Sequence, residues 1–215
     1  NAEDSSIAFA DFDNDGDLDL SLTGCCDFHR IYRNNGSTFI EIQSEVTGLG
    51  SVFAGSQAFG DYDNDGYLDL IINGREEETD FYLYNSSSTN FTTAFFDPES
   101  HILDVYYSSL TWIDLDNDTD LDLIETGIGG ATYRALIYIN NRSLTKNNTL
   151  PTPPNIFTSS YSTADNNLTL GWGNGSDNET PSTGLYYNLM VGNSTTNNTV
   201  VSGVYGGSSN PTAGY

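Results

Sequence analysis

The chain has 215 residues, and its 30 Asp and Glu residues against 6 Lys and Arg residues give a formal net charge of -24 at pH 7. Nucleic acids and anionic membranes are bound through basic surfaces that neutralise phosphate, so we predict no nucleic-acid partner. Hydrophobic residues make up 37% of the chain, which is enough for a packed core. No apolar run approaches the roughly 20 residues that a bilayer span requires, and we predict no membrane span.

An internal repeat is the strongest pattern in the first 150 residues. The acidic run from Asp11 to Asp19 recurs from Asp61 to Asp69 and again from Asp114 to Asp122. Successive copies begin about fifty residues apart, and a period of this length is typical of arrays and propellers built from one supersecondary unit.

The flanks of each acidic run predict β-strands. An aromatic residue stands two positions before each run, and an apolar alternation follows it, which is typical of a half-buried strand. The aromatic residues are Phe9, Phe59 and Trp112, and the alternations are Leu18, Leu20 and Leu22, then Leu68, Leu70 and Ile72, then Leu121 and Leu123. Further strands are predicted around residues 30–33 and 39–42, 81–84, and 135–139. Each copy then holds about four short strands, the size of a propeller blade.

The spacing within the runs predicts a cation site. Carboxylates at positions 1, 3, 5 and 9, with a backbone carbonyl at position 7, can surround Ca²⁺, and Gly at position 6 allows the sharp turn. An EF-hand opens in the same way, but it requires Glu at position 12 and a following helix. Leu22 and Ile72 stand at that position, and we treat the Glu125 of the third run as a coincidence. The remaining alternative is an Asp-rich hairpin without metal, which the threefold preservation of the spacing disfavours.

Residues 58–66, AFGDYDNDG, and residues 32–36, YRNNG, followed by Phe39, resemble the FG-GAP or VCBS repeat of integrin alpha subunits and of many microbial secreted proteins. The resemblance extends over roughly residues 5–142. It implies three propeller-like blades within residues 1–150, with Ca²⁺ held in the hairpin loop between the first two strands of each blade, up to three ions in all.

The resemblance also implies the ligands, position by position. They are Asp11, Asp13, Asp15, Asp17 and Asp19 in the first loop, Asp61, Asp63, Asp65, Tyr67 and Asp69 in the second, and Asp114, Asp116, Asp118, Asp120 and Asp122 in the third. Asp17, Tyr67 and Asp120 would act through their backbone carbonyls. The third loop departs from the pattern at Thr119, where a non-glycine residue must make the turn.

A second region is predicted from residue 151 to residue 215, after the Pro-rich joint at residues 151–154. It holds three acidic residues and no Lys or Arg. It resembles an incomplete immunoglobulin-like or fibronectin type III-like β-sandwich, with an all-β fold predicted for the whole chain. Its predicted core residues are Leu168, Leu170 and Trp172 on one strand and Tyr187, Leu189 and Val191 on another. The alternative is a set of generic β-strands.

Glycosylation sequons predict an extracellular location. Asn-x-Ser/Thr occurs about twice as often as chance gives, which favours passage through a glycosylating secretory route, although a chain rich in Ser, Thr and Asn also scores sequons by chance. The predicted sites are Asn35, Asn85, Asn90, Asn141, Asn147, Asn167, Asn174, Asn178, Asn193 and Asn197. An eleventh sequon, at Asn117, lies inside the third loop. The adjacent Cys25 and Cys26 form no disulfide framework, and we expect them to be oxidised.

The function predicted from these features is non-enzymatic. The chain has no zinc-spaced His or Cys cluster, no phosphate-binding glycine loop and no G-x-S-x-G motif. We predict a calcium-stabilised structural or adhesion protein of the cell surface or an extracellular fibre. The alternative is a lectin-like module that stacks sugars on Tyr106, Tyr107, Tyr133 and Tyr138.

Incomplete folds predict self-association. Three blades and half a sandwich leave sheet edges uncovered, so we expect the missing strands to come from a longer parent chain or from neighbouring chains in a polymer. The segment from Gly203 to Tyr215 is the predicted exchanged arm.

Overall fold

The computed structural model describes residues 3–24, 28–42, 52–75, 80–85, 90–94, 105–141, 149–191 and 201–205. The chain divides into two compact units. The first unit contains residues 1–13 and 17–147, and the second contains residues 14–16 and 148–215. Cys25 and Cys26, for which we expected oxidation, lie outside the described residues.

The described residues form fifteen strands and no helix, so the all-β prediction is confirmed. The strands are β1 (Ser6–Ala10), β2 (Asp19–Gly24), β3 (Phe28–Asn34), β4 (Phe39–Glu41), β5 (Phe53–Gly60), β6 (Asp69–Arg75), β7 (Asp80–Asn85), β8 (Asn90–Ala94), β9 (Tyr106–Ile113), β10 (Asp122–Gly129), β11 (Thr132–Tyr138), β12 (Phe157–Ser162), β13 (Asn167–Trp172), β14 (Tyr187–Val191) and β15 (Val201–Tyr205). No helix in this part of the chain is long and apolar enough to cross a bilayer.

The first unit contains three antiparallel sheets, one for each copy of the repeat. The first sheet has the order β1-β2-β3-β4, the second has the order β5-β6-β7-β8, and the third has the order β11-β10-β9. The second sheet contacts its neighbours through β5, which packs against β1, β2 and β9. We predicted four strands in the third copy, and the described residues contain three. The described strands form no closed propeller.

Two apolar cores fill the spaces between these sheets, because alternate residues of each strand point to opposite faces. The core between the first and second sheets contains Phe12, Ile31, Leu70, Tyr82 and Phe91, each fully buried. The core between the second and third sheets is assembled from Tyr62, Ile71, Leu110 and Leu123, with Trp112 packed against it. Each sheet is therefore covered on the face that meets another repeat.

Buried polar side chains also connect the sheets. Gln57 Nε2 donates to the backbone carbonyls of Ser6 and Ser21 at 2.9 and 3.0 Å. Asn73 Nδ2 donates to Glu125 Oε1 at 2.5 Å, and the Tyr138 hydroxyl donates to Glu125 Oε2 at 3.2 Å. The fully buried Glu125, which the sequence left without a role, thus joins the second and third sheets.

The second unit contains two antiparallel hairpins. One pairs β12 with β13, the other pairs β14 with β15, and an isolated bridge joins Thr152 to Ser176. A cavity of about 440 Å³ lies among residues that include Trp172, Leu185 and Tyr187. The described residues give separate hairpins, and the fibronectin-like sandwich stays a prediction.

Several predicted positions need correction. The strands β2, β6 and β10 begin at the last Asp of each acidic run, so the first residue of each predicted alternation lies just before its strand. These residues are Leu18, Leu68 and Leu121. Leu168, expected in a core, is 55% exposed, because no second layer covers its face of the β12–β13 hairpin in the described structure. The part of the predicted arm from Gly203 to Tyr205 pairs with β14 of the same chain, and residues 206–215 lie outside the described residues.

Candidate metal centre

The three acidic loops share one backbone conformation. The Asn at position 4 of each loop is left-handed, with φ of 59° at Asn14, 55° at Asn64 and 62° at Asn117. Position 6 is also left-handed, with φ values of 97°, 89° and 77° at Gly16, Gly66 and Thr119. Asn and Gly tolerate this region, whereas a β-branched residue does not, so the sequence pattern fixes the turn and Thr119 strains it.

Thr119→Gly is expected to stabilise the first unit by about 1 kcal/mol, because the left-handed conformation costs an L residue about 1–2 kcal/mol and costs Gly almost nothing. Chemical denaturation of calcium-free protein measures this change. Thr111→Gly is the control, since it lies on β9, where Gly lowers strand stability. If the Thr119→Gly protein were no more stable than the original, the left-handed backbone conformation of Thr119 would not be strained.

Backbone N–H groups fold the second and third loops around their first carboxylates. In the second and third loops, the first Asp accepts hydrogen bonds from the backbone N–H groups of positions 5 and 6, and the Asp at position 5 accepts one from position 7. Asp65 and Gly66 donate to Asp61 at 3.0 Å each, and Asp118 and Thr119 donate to Asp114 at 3.2 and 3.3 Å. Tyr67 donates to Asp65 at 3.1 Å, and Asp120 donates to Asp118 at 3.2 Å.

The Asp at position 9 accepts two backbone hydrogen bonds in each loop, a structural role that its spacing in the sequence does not reveal. In every loop one of its oxygens accepts the backbone N–H of position 2, and the other accepts a backbone N–H at β3, at β7 or just after β11. The Asp19 carboxylate binds Phe12 and Asn34 at 3.1 and 2.7 Å, the Asp69 carboxylate binds Tyr62 and Tyr84 at 3.0 and 2.9 Å, and the Asp122 carboxylate binds Leu115 and Asn140 at 2.8 Å each. Position 9 therefore ties each loop to the third strand of its repeat.

Carboxylate oxygens converge in each loop. Three residues each offer one oxygen, and within a group these oxygens lie within 4.8 Å of one another. The groups are Asp11, Asp13 and Asp15 in the first loop, Asp61, Asp63 and Asp69 in the second, and Asp114, Asp116 and Asp122 in the third. FG-GAP repeats commonly bind Ca²⁺, and a hard cation takes such clustered oxygens as ligands.

In the second and third loops, two buried carboxylate oxygens have no hydrogen-bond partner within the described part of the chain. They are Asp63 Oδ1, beside Asp61 and Asp69, and Asp120 Oδ1 in the third loop. A buried polar atom ordinarily has a partner, and a bound cation would supply one. The resemblance implies the backbone carbonyl of Asp120 as the ligand, and the structure also leaves a carboxylate oxygen of this residue available.

The first loop differs from the other two. Arg33 Nε lies 3.2 Å from Asp13 Oδ2, so a guanidinium already neutralises the position-3 carboxylate. Asp19 is absent from the convergent group of this loop, and the exposed Asp15 takes the third place. In the first loop, the Arg33 guanidinium would therefore compete with a metal ion for the Asp13 carboxylate.

Burial raises the pKa of several loop carboxyls. The pKa of Asp61 is raised from 3.8 to about 6, chiefly by burial, with the charges of Asp65 and Asp63 adding to the effect. Burial likewise raises the pKa of Asp69 well above its ordinary value, against two opposing backbone hydrogen bonds. The pKa of Asp120 rises to about 7 through burial and the neighbouring Asp118 carboxyl. These shifts follow chiefly from the burial of the carboxyls, and the neighbouring like charges add to them.

The calcium-free protein is therefore expected to lose stability as pH rises from about 4 to about 7. The folded state holds protons at Asp61 and Asp120 that the unfolded state has already released, so the free energy of unfolding falls with pH across this window. Urea denaturation of metal-stripped protein at both pH values measures the change, and Asp61→Asn should reduce it. Higher stability at pH 7 than at pH 4 in the absence of metal would refute this expectation.

The predicted sequons lie mostly at the surface where the structure describes them. Asn35, Asn117, Asn141, Asn167, Asn174 and Asn178 are exposed, and Asn90 is half-buried. Asn85 is placed on β7 without a described side chain, and Asn147, Asn193 and Asn197 lie outside the described residues.

The tyrosines of the lectin alternative do not share one role. Tyr107 is 64% exposed and Tyr133 is 88% exposed. Tyr138 packs against the core between the second and third sheets and donates its hydroxyl to Glu125. Since one of the four helps to build the core, their presence in the sequence does not define a sugar-stacking surface.

Comparison with known families supports the repeat assignment. Residues 61–125 match the family model of the FG-GAP-like repeat, a segment that runs from the start of the second acidic loop to just beyond the third. The first unit therefore contains an FG-GAP-like repeat in an all-β fold. Such repeats are typically non-enzymatic structural or adhesion modules of extracellular or surface proteins. A search of curated proteins finds no match to the chain.

Proposed function

We propose that this protein is a secreted, calcium-stabilised structural or adhesion protein of the cell surface or of an extracellular fibre, without catalytic activity. The observation that carries the proposal is the convergence of three carboxylate oxygens within 4.8 Å in each of three repeated loops. The raised pKa of Asp61 supports it, because a cluster that resists ionisation is stabilised by a divalent cation.

The ions would be Ca²⁺, one in each loop. All the side chains in the clusters are carboxylates, which suit a hard cation, and no His or Cys belongs to them. The ligands we assign are those predicted above, with Asp69 and Asp122 also holding the loop backbone. The ions would act as rigid cross-links and would reduce the repulsion within a chain of net charge -24.

The surface of the protein would be N-glycosylated. The exposed sequons on loops and strand ends, such as Asn35, Asn141 and Asn174, are positions at which a glycan meets no packed side chain. Glycans would keep an extracellular protein with so few Lys and Arg residues in solution. The partners of such a module would be other protein chains, including further copies of itself in a fibre.

Isothermal titration of calcium into metal-stripped protein tests the proposal. We expect up to three ions per chain, with dissociation constants on the order of 10⁻⁴ to 10⁻³ M. Asp63→Asn should remove one ion. The control is Asp4→Asn, since Asp4 lies outside the loops and Asn tolerates its φ of 47°. Absence of calcium binding at these concentrations, or equal titrations for the two variants, would refute the proposal.

A further inference from the structure

The outer faces of the first and third sheets carry exposed apolar side chains, although no other repeat covers them among the described residues. The apolar part of the first outer face consists of Ile7, Phe9, Leu20, Leu22 and Tyr32, and the register places the Arg30–Glu41 ion pair on the same side, on β3 and β4. Ile7 and Phe9 are 61% and 59% exposed. The apolar part of the third outer face consists of Ile113, Leu115, Ile124 and Ile137, and the small polar residues Ser109, Thr111 and Thr126 lie on the same side. Ile113 and Leu115 are each 41% exposed, and Ile137 is 58% exposed.

The corresponding positions of the other repeats are buried. Ile7 corresponds to Gln57 and Leu110, which are 7% and 8% exposed. Leu20 corresponds to Leu70 and Leu123, both fully buried. The same holds at the opposite end, where Leu115 corresponds to the fully buried Phe12 and Tyr62, and Ile124 to the fully buried Ser21 and Ile71. Each outer face thus resembles a repeat junction, although no repeat packs on it among the described residues.

The two internal junctions show what such a face accepts. The residue at position 2 of one loop packs on the aromatic residue that precedes the next loop. Phe12 stacks on Phe59 with ring centroids 6.3 Å apart, and Tyr62 lies on Trp112 at 5.9 Å. Within the described part of the chain, Phe9 has no position-2 residue of another loop packed on it, and Leu115 has no such aromatic residue packed on it.

One central pair of positions on the two outer faces also matches. Between the first and second sheets a polar pair meets, since Ser21 Oγ donates to Gln57 Oε1 at 2.5 Å. Between the second and third sheets the corresponding pair, Ile71 and Leu110, is apolar. At the outer faces, the corresponding positions are Ile124 on the third and Ile7 on the first, and both are apolar. Ile124 of the third outer face can therefore pack on Ile7 of the first outer face, as Ile71 packs against Leu110 between the second and third sheets.

We propose that the third outer face of one copy of this chain docks on the first outer face of a second copy, so that the repeats continue head to tail. This proposal deepens the structural role proposed above by naming the partner and the surface. The interface is heterologous, and such contacts produce rings when they close and filaments when they do not. One local difference from the internal junctions is that Ile113 stands where Gly60 leaves room for the Trp112 indole. The smaller ring of Phe9 offsets part of that volume.

Three isoleucines on exposed strand positions provide matched variants. Ile7→Glu alters the first outer face and Ile137→Glu alters the third. Ile40→Glu is the control, because Ile40 is 48% exposed and the register places it on the opposite side of the first sheet from Ile7. All three residues lie outside the acidic loops, so calcium binding and folding should be unchanged. Equal calcium-dependent melting temperatures check this, and they separate a failure of docking from a failure of the calcium proposal.

Sedimentation velocity over a range on the order of 1 to 100 µM, at about 0.5 M salt to screen the net charge, tests the docking. The original protein and Ile40→Glu should form dimers and larger species as concentration rises. Ile7→Glu and Ile137→Glu should each associate at least about tenfold more weakly, since either places a charge in the apolar contact.

An equimolar mixture of Ile7→Glu and Ile137→Glu distinguishes head-to-tail docking from any symmetric contact. Each variant retains one intact outer face, and the two intact faces are complementary. The mixture should therefore form a dimer and nothing larger. The proposal is overturned if the original protein remains monomeric throughout, if the mixture fails to dimerise, or if Ile40→Glu weakens association as much as Ile7→Glu.

Discussion

Removal of calcium is expected to lower the melting temperature of the first unit by about 10 to 30 °C. In 10 mM calcium, a site with a dissociation constant on the order of 10⁻⁴ to 10⁻³ M contributes about 1.4 to 2.7 kcal/mol. Three such sites contribute about 4 to 8 kcal/mol. A unit of this size shifts by about 2 to 4 °C per kcal/mol, which gives the stated range.

Differential scanning calorimetry with chelator and with 10 mM calcium measures this shift. Magnesium at the same concentration is the control, because it demands a smaller and more regular site and keeps its water. The transition of the first unit should move, since all three acidic clusters belong to the repeats. Identical melting temperatures in chelator and in calcium would show that the ions, if bound at all, do not cross-link the fold.

Asp69→Ala is expected to destabilise the calcium-free protein by about 3 kcal/mol. The substitution leaves the buried backbone N–H groups of Tyr62 and Tyr84 without acceptors, and each such loss costs about 1 to 3 kcal/mol. Asp65→Ala should cost about 1 kcal/mol, because the bond that Asp65 accepts from the Tyr67 N–H lies in a partly buried setting.

Urea denaturation of both variants in metal-free buffer measures the difference. Asp69→Asn is a further control, since its amide has a single acceptor oxygen and cannot replace both carboxylate bonds. If Asp69→Ala and Asp65→Ala lost equal stability without calcium, position 9 would be a metal ligand only. The structural role that its two hydrogen bonds indicate would then be wrong.

The sequence predicts the local features of this fold well, because they depend on residues close together in the chain. The left-handed turns at Asn64 and Gly66 follow from the tolerance of Asn and Gly for positive φ, and the alternation after Asp69 follows from the two faces of a strand. The convergence of Asp61 and Asp63 follows from their spacing in the loop.

Features that join distant parts of the chain could not be predicted in the same way. In the sequence, Asp69 is indistinguishable from the other acidic residues of the run. Its bond to the Tyr84 N–H depends on the pairing of β6 with β7, which the spacing of the run does not indicate. Glu125 has no visible role until Asn73 of the neighbouring sheet faces it. Leu168 was expected in a core because alternation predicts that one face is covered, yet it does not specify what covers that face.

Anomalous diffraction from crystals of this protein grown in about 10 mM calcium shows directly whether the acidic loops bind Ca²⁺, since that concentration exceeds the expected dissociation constants. We expect a calcium peak in each of the three acidic loops. In the second loop we expect carboxylate oxygens of Asp61, Asp63, Asp65 and Asp69 about 2.3 to 2.6 Å from the ion. Well-ordered loops without a peak at this calcium concentration would show that these loops are not calcium sites.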